Sequence, residues 1–243
     1  MAYPHFKDKH LQDALFNPSD YIKYDNWDKK KFPKKYILTY QNHVKAYFLR
    51  KYKPKKFRVN SLLTIFIHKG IGFVKLGIGS PAATAVMEEL IAAGGKEFLS
   101  IGTAGGLHKE GIFLCKKALR DEGTSYHYIK SGKYAYPHKE LTKKLGFFIK
   151  KEGLDYAPGT TWTIDAPYRE TKKEIERYAK QGISTVEMEA SALFTLAKYR
   201  KVKIASAFSV SDLLIKKWEP KFHKFNVRRA QNKLIDAAVK CLS

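Results

Sequence analysis

Cysteine is scarce: the 243 residues contain two, Cys115 and Cys241, and neither has a companion Cys or His at metal-ligand spacing. That argues against a disulfide framework and a structural zinc site, and it suits a reducing compartment, so a cytoplasmic protein is the expectation. Long hydrophobic runs are missing too. No stretch of about 18 apolar residues is available to span a bilayer, and the first residues lack the charged-then-apolar pattern of a leader, so a soluble, unexported chain with no membrane partner is expected. The 9 prolines and 16 glycines do not gather into a linker. One domain over residues 1–243, large enough to bury a sizeable core, is therefore expected. Acidic residues are few as well, 23 against 46 Lys and Arg, for a net charge of +23. The lysines are scattered, with short clusters at 29–31 and 51–56 and no repeat or RGG-like tract. They read as a solvated basic surface, which disfavours nucleic acid as a partner and leaves attraction of anionic substrates or RNA as the alternative.

What the chain does have is concentrated at 186–212. Ala190, Leu193, Phe194 and Ala197 fall at i, i+3, i+4 and i+7, one apolar face of a helix, and Lys198, Arg200 and Lys201 follow where cations suit a helix C-terminus. The pattern predicts a helix from about Met188, with Glu187 and Glu189 in or just before its first turn. The positive end of the macrodipole favours ionised carboxylates there, and such a group can accept two hydrogen bonds from a diol. Residues 202–210 are largely apolar and predict a central strand. Ser211 and Asp212 then stand at its carboxyl end, the edge where open α/β sheets bind ligands.

Elsewhere, 36–39 predicts a short strand, and 62–67 with 71–78 a hairpin around Lys69-Gly70. Gly77-Ile78-Gly79-Ser80-Pro81 opens a helix that Ser80 can cap and that Gly94-Gly95 ends. A strand over 97–101 runs into Gly102-Thr103-Ala104-Gly105-Gly106, a loop whose amides can approach an anion or a base closely. Amphipathic or charged helices are expected at 139–151, 169–180 and 227–242. Residues 120–128 are dense in polar groups, and Trp218, Phe222 and Phe225 lie in a basic segment that covers the site or anchors the chain.

Val186-Glu187-Met188-Glu189-Ala190, followed by Val210-Ser211-Asp212, resembles the nucleoside phosphorylase superfamily of purine nucleoside and uridine phosphorylases and related nucleosidases. The 23-residue separation of Glu189 from Asp212 matches the purine phosphorylase pattern without a gap. The resemblance implies an α/β fold, a three-layer sandwich with a mixed central β-sheet flanked by helices. It also implies a pentosyltransferase that cleaves the N-glycosidic bond of a purine nucleoside with phosphate, giving ribose 1-phosphate and free base. No metal or organic cofactor is expected; inorganic phosphate is the co-substrate. The alternatives are a nucleosidase using water, a uridine phosphorylase, or a nucleoside-binding protein without turnover.

By the same resemblance, Asp212 is the catalytic acid toward purine N7, Glu189 binds the ribose 2′- and 3′-hydroxyls, Met188 packs under the sugar and Glu187 places that turn. Ser211, Ala104 and Gly105 line the base, with Tyr168 at a tyrosine place of the family and Trp162 replacing a ring that Pro167 has lost. Tyr3-Pro4-His5-Phe6 resembles the segment that lends a histidine to a neighbouring subunit, so His5 is expected on its ribose 5′-hydroxyl, within a dimer or a trimer of dimers. Phosphate is assigned to Thr103, Gly79, Lys45, Arg58 and Arg120. Two arginines of the phosphorylase pattern are replaced, by Lys45 and Ser100, and the glutamine and arginine that read uracil are replaced by Thr171 and Lys173. The base-reading residues therefore lean towards purine, and the acceptor is the open point.

Overall fold

The structure, a computed structural model, describes residues 4–6, 8–27, 31–60, 63–130, 132–215 and 217–243. Tyr3, Asp28, Lys29, Lys30 and Leu62, which figure in the sequence reading, lie outside the described residues. The strands are β1 (Lys35–Thr39), β2 (Lys55–Arg58), β3 (Thr64–His68), β4 (Ile71–Lys75), β5 (Glu97–Gly106), β6 (Ile112–Asp121), β7 (Tyr134–Ala135), β8 (Ala157–Ile164), β9 (Ile183–Glu187), β10 (Lys203–Leu214) and β11 (Trp218–Pro220). The helices are α1 (Pro18–Tyr24), α2 (Asn42–Tyr52), α3 (Ser80–Ala92), α4 (Lys139–Lys151), α5 (Lys172–Lys180), α6 (Ala190–Tyr199) and α7 (Phe225–Leu242). No helix among the described residues is long and apolar enough to cross a membrane.

The mixed sheet flanked by helices is present. Its central strands are apolar on both sides because both faces are covered. Along β1, Tyr36 and Leu38 join the core beneath α3 and α6, while Ile37 faces the core beneath α2, α4 and α7. Phe98 and Leu99 of β5 split the same way. Half of the sheet closes on itself. β5 pairs with β10, β10 with β6, β6 with β8, β8 with β9, and β9 returns to β5. From β5 the sheet extends through β1, β4 and β3 to β2, while β7 pairs with β6 and β11 with β10.

Three sequence expectations change here. Residues 102–106 are not a loop: they continue β5, because Gly102 to Gly106 pair with β10, and Gly105 and Gly106 also pair with β9. The helix expected over 169–180 starts at Lys172, behind a Thr171–Glu174 capping box, and residues 42–52, for which the sequence pattern predicts no element, form α2, whose Val44 and Phe48 are buried one turn apart. Ser211 and Asp212 lie within β10 rather than at its end, where the pairing with β5 shifts register between Val210 and Asp212. The shift is a β-bulge, a device that re-aims side chains.

Candidate active site

The site is assembled from the turn between β9 and α6, the start of α3, and the bulge of β10. Glu187 ends β9 and its side chain folds back over the helix start. Its Oε2 accepts the backbone N–H groups of Glu189 (2.8 Å) and Ala190 (2.7 Å). Its Oε1 accepts the hydroxyl of Thr163 (2.6 Å), and that hydroxyl in turn accepts the N–H of Ser191 (3.0 Å). Glu187 is thus the group that satisfies the orphan donors at the head of α6, which starts at Ala190, two residues later than the periodicity predicts.

Glu189 turns the other way. Its Oε1 accepts the N–H of Gly79 (2.6 Å), and Ser80, at the first position of α3, donates its hydroxyl to the carbonyl of Met188 (2.7 Å). Gly79 has φ +99°, a conformation that L side chains rarely adopt, and this aims its N–H at the carboxylate. Ser80 is therefore not the cap of α3; it ties α3 to the Met188-Glu189 turn. The N–H of Gly79, assigned above to phosphate, is engaged by Glu189.

The carboxylates do not stay ionised as the helix dipole alone would have it. Glu187 and Glu189 are both buried. Burial, followed for Glu189 by the charge of Glu187, pushes Glu189 up to about 8. Burial also raises Glu187, against the hydrogen bonds that hold its charged form. Loss of hydration outweighs the two or three amide hydrogen bonds, so the pair retains a proton at neutral pH.

Asp212 enters from the opposite side of β5. In the sheet it stands opposite Gly105, and Gly105 stands opposite Val186, so β5 carries one residue between Asp212 and the residue that precedes Glu187. A Cβ on Gly105 would lie 2.7 Å from Leu214 Cδ1, 3.0 Å from Val186 Cγ1 and 3.5 Å from Asp212 Oδ2. Only glycine leaves that floor open. Asp212 is buried; Oδ1 accepts the hydroxyl of Ser211 (2.8 Å) and Oδ2 the indole N–H of Trp218 (3.0 Å). Glu170, in the connection before α5, is pushed up to about 7 by burial and then by the charge of Asp212.

The positions expected to hold phosphate are occupied by this chain's own side chains. Tyr40 lies over Gly102, within 3.0 Å of where a Cβ would be, and its hydroxyl meets that of Ser100 at 2.9 Å. Gln41 Nε2 donates to Thr103 Oγ1 (3.1 Å). Burial, and then the charge of Glu189, keeps the Tyr40 phenol protonated. Lys45 is half-buried one turn along α2 from Gln41, and among the described residues its ammonium has no ion pair. Arg58 is exposed at the end of β2 and its Nε donates to the carbonyl of Asn60 (3.3 Å).

Arg120 is corrected by its surroundings. Its Nε donates to Ser125 Oγ (2.9 Å), Nη1 to the carbonyls of Lys130 (3.1 Å) and Gly132 (3.4 Å), and Nη2 to that of Ile129 (3.3 Å), while its carbon stands over the Tyr126 ring. It clamps the segment after β6 instead of offering its fork to an anion. Replacing it, Arg120→Ala, is expected to cost roughly 2–3 kcal/mol, since hydrogen bonds to a charged group are worth about that much. That corresponds to about 4–12 °C in Tm for a domain of this size. Calorimetry checks this.

Trp162 is also corrected. It is fully buried, donates its N–H to Asp121 (2.8 Å) and packs edge-on against Tyr178, so it belongs to the core under α5 and offers no stacking face. Tyr168 is 99% exposed and His5 is exposed, so neither covers the site of its own chain. Thr163, Tyr40, Gln41 and the Asp212 contact of Trp218 escaped the sequence reading. For Thr163, Tyr40 and Gln41 the contact joins residues 24 or more positions apart, which no local pattern marks, whereas Trp218 reaches Asp212 over six residues through the β10–β11 pairing.

The model of the phosphorylase superfamily matches residues 40–243. The chain belongs to that superfamily. It is 30% identical over 145 residues to the DeoD-type purine nucleoside phosphorylase of Clostridium novyi, a match covering 57% of this chain and 62% of that protein. The chain thus spans about three-fifths of the length of the curated relatives it matches. Among solved structures, AMP nucleosidase from Bacteroides thetaiotaomicron superposes with a TM-score of 0.76 at 22% identity, covering 93% of this chain and 98% of that one. Uridine phosphorylase from Vibrio fischeri gives 0.72 at 25% identity, covering 88% and 91%. The superfamily assignment agrees with the resemblance read from the motifs of β9–α6 and β10, and it is that of an enzyme family of nucleoside phosphorylases and nucleosidases.

Proposed function

We propose that this chain cleaves the N-glycosidic bond of a purine nucleoside, with phosphate as the acceptor. The observation that carries the cleavage is the register across β9, β5 and β10, in which Gly105 pairs with Asp212 on one side and on the other with Val186, three residues before Glu189. In this reading Glu189 accepts hydrogen bonds from the 2′- and 3′-hydroxyls, Met188 lies under the sugar, and Ala104, Gly105 and Ser211 border the base. Asp212 donates a proton to N7 as the C1′–N9 bond breaks, so the electron pair leaves on a neutral base. The oxocarbenium-like C1′ is taken by a phosphate oxygen, giving ribose 1-phosphate. Thr103 and Lys45 are the phosphate ligands of the chain itself. Arg58 and His5, both exposed, would serve the site of a neighbouring subunit in a homo-oligomer.

A second reading, transfer to water, is favoured by one observation. The Tyr40–Ser100 and Gln41–Thr103 hydrogen bonds place this chain's own groups where a phosphate would sit, and no arginine stands among them. Base release from inosine, adenosine, guanosine and uridine, with and without phosphate, separates the two. Purine release that needs phosphate and yields ribose 1-phosphate is expected. Release at an equal rate without phosphate makes the enzyme a nucleosidase, and no release from any of the four refutes the cleavage itself.

A further inference from the structure

Trp218 combines two features that a surface anchor does not need together. Its ring is 62% exposed, while its indole N–H is committed to Oδ2 of the buried Asp212 at 3.0 Å. Its place on β11, opposite Leu214 of β10, brings it back over the bulge. Oδ2 is the oxygen nearest the open floor at Gly105, so the indole N–H meets the carboxylate on the side where a base would lie. The other two tryptophans, Trp27 and Trp162, are 1% and 0% exposed.

Hydrogen bonding sharpens the point. With Ser211 donating to Oδ1 and Trp218 to Oδ2, Asp212 in this structure is an acceptor on both oxygens. A carboxyl used to protonate a leaving base has to carry the proton on one of them, and that oxygen then loses its value as an acceptor. The group that leaves Oδ2 when the base arrives is the indole, because Ser211 is the preceding residue of the same strand, whereas Trp218 comes from β11 and is largely in solvent. An indole released at that point already has an uncovered aromatic face beside the base position, and stacking of a base on such a face is worth about 1–3 kcal/mol.

We propose that Trp218 is a positioning residue for Asp212 and the aromatic platform for the base: its N–H orients Oδ2 in the free enzyme, and its ring covers the base in the complex. This rests on the reading of the site as one for nucleosides. The ligand class is a planar heterocyclic base, and the surrounding charges are Glu170, facing Asp212, and Lys221, which pairs with Glu110 and Glu219 just beyond the indole.

Two substitutions divide the roles. Trp218→Phe keeps a ring and removes the N–H; kcat/KM is expected to fall about 10-fold with kcat changing less than 2-fold, since Oδ2 is no longer oriented in the free enzyme while the complex, from which the N–H is already released, is unchanged. Trp218→Leu removes both, and KM should then rise about 10-fold in addition. Because Trp218 is the one exposed tryptophan among the three, its emission reports occupancy directly. Titrating hypoxanthine, adenine and guanine into the parent should quench the solvent-exposed component, and the Phe variant should show no such change. Equal kcat/KM in parent and Trp218→Phe overturns the positioning role. Parent emission unmoved by saturating base overturns the platform role. If the parent cleaves no nucleoside but its Trp218 emission still responds to bases, the cleavage reading fails and the platform stands.

Discussion

Asp212→Asn is expected to lower kcat by about 10²–10⁴-fold, the usual contribution of a positioned general acid, while KM changes little. The substitution keeps the shape of the side chain, and the amide oxygen can still accept from either Ser211 or Trp218, the two donors that hold Asp212 now. Fold stability should therefore stay close to that of the parent. The discriminating substrate is a nucleoside whose base is already cationic, such as 7-methylinosine, which needs no proton to leave. With it the loss should shrink to a few-fold. An equal loss on inosine and 7-methylinosine would show that Asp212 does something other than protonate the base, and an unchanged kcat on both would remove it from the chemistry.

Glu189→Gln is expected to lower kcat/KM by roughly 10- to 100-fold, since it disturbs two hydrogen bonds to the diol, each worth about 0.5–1.5 kcal/mol, and each 1.4 kcal/mol is tenfold. The loss should vanish with 2′,3′-dideoxyinosine, which has no diol to bind; a loss of the same size on that substrate would place Glu189 elsewhere. The same substitution has a pH signature. The carboxyl of Glu189 titrates higher in the folded protein than unfolded, because burial and the neighbouring Glu187 charge disfavour its ionisation. A raised carboxyl contributes stability that is fully present below the ordinary carboxylate range and is lost as pH rises through about 8. The Tm of the ligand-free parent should therefore fall between about pH 5 and pH 9. Glu189→Gln should flatten that fall and gain on the parent at the alkaline end. A parent Tm that rises over this window would contradict the raised carboxyl.

Much of the framework could be read from local patterns. Helices α4 and α7 and the β3–β4 hairpin are written in i, i+4 spacings and in a Lys69-Gly70 turn, all short-range signals. Glu189 and Asp212 stood out because two short motifs at one spacing mark one site. The phosphate side was harder to read. Arg120 looked like an anion ligand because sequence shows the charge but not the three carbonyls and the Ser125 hydroxyl it serves. Trp162 looked available for stacking because a tryptophan's composition is the same in a core and on a surface.

The residue types in the chain by themselves marked a carboxylate pair just before a helix and a third carboxylate towards the end of an apolar strand. The resemblance to the family marked the arginines usual around phosphate as replaced by Ser100 and Lys45. Tertiary structure alone decided what surrounds these groups. It buried Glu187 and Glu189 side by side, which raises both against the pull of the helix N-terminus. It spent the Gly79 amide on Glu189, laid Tyr40 and Gln41 on Ser100 and Thr103, and brought the Trp218 indole to Asp212. The reason is physical: hydration and hydrogen-bond partners are properties of a site, and Gly79 with Glu189, Tyr40 with Ser100 and Gln41 with Thr103 stand 60 or more positions apart in the chain, where no local pattern pairs them.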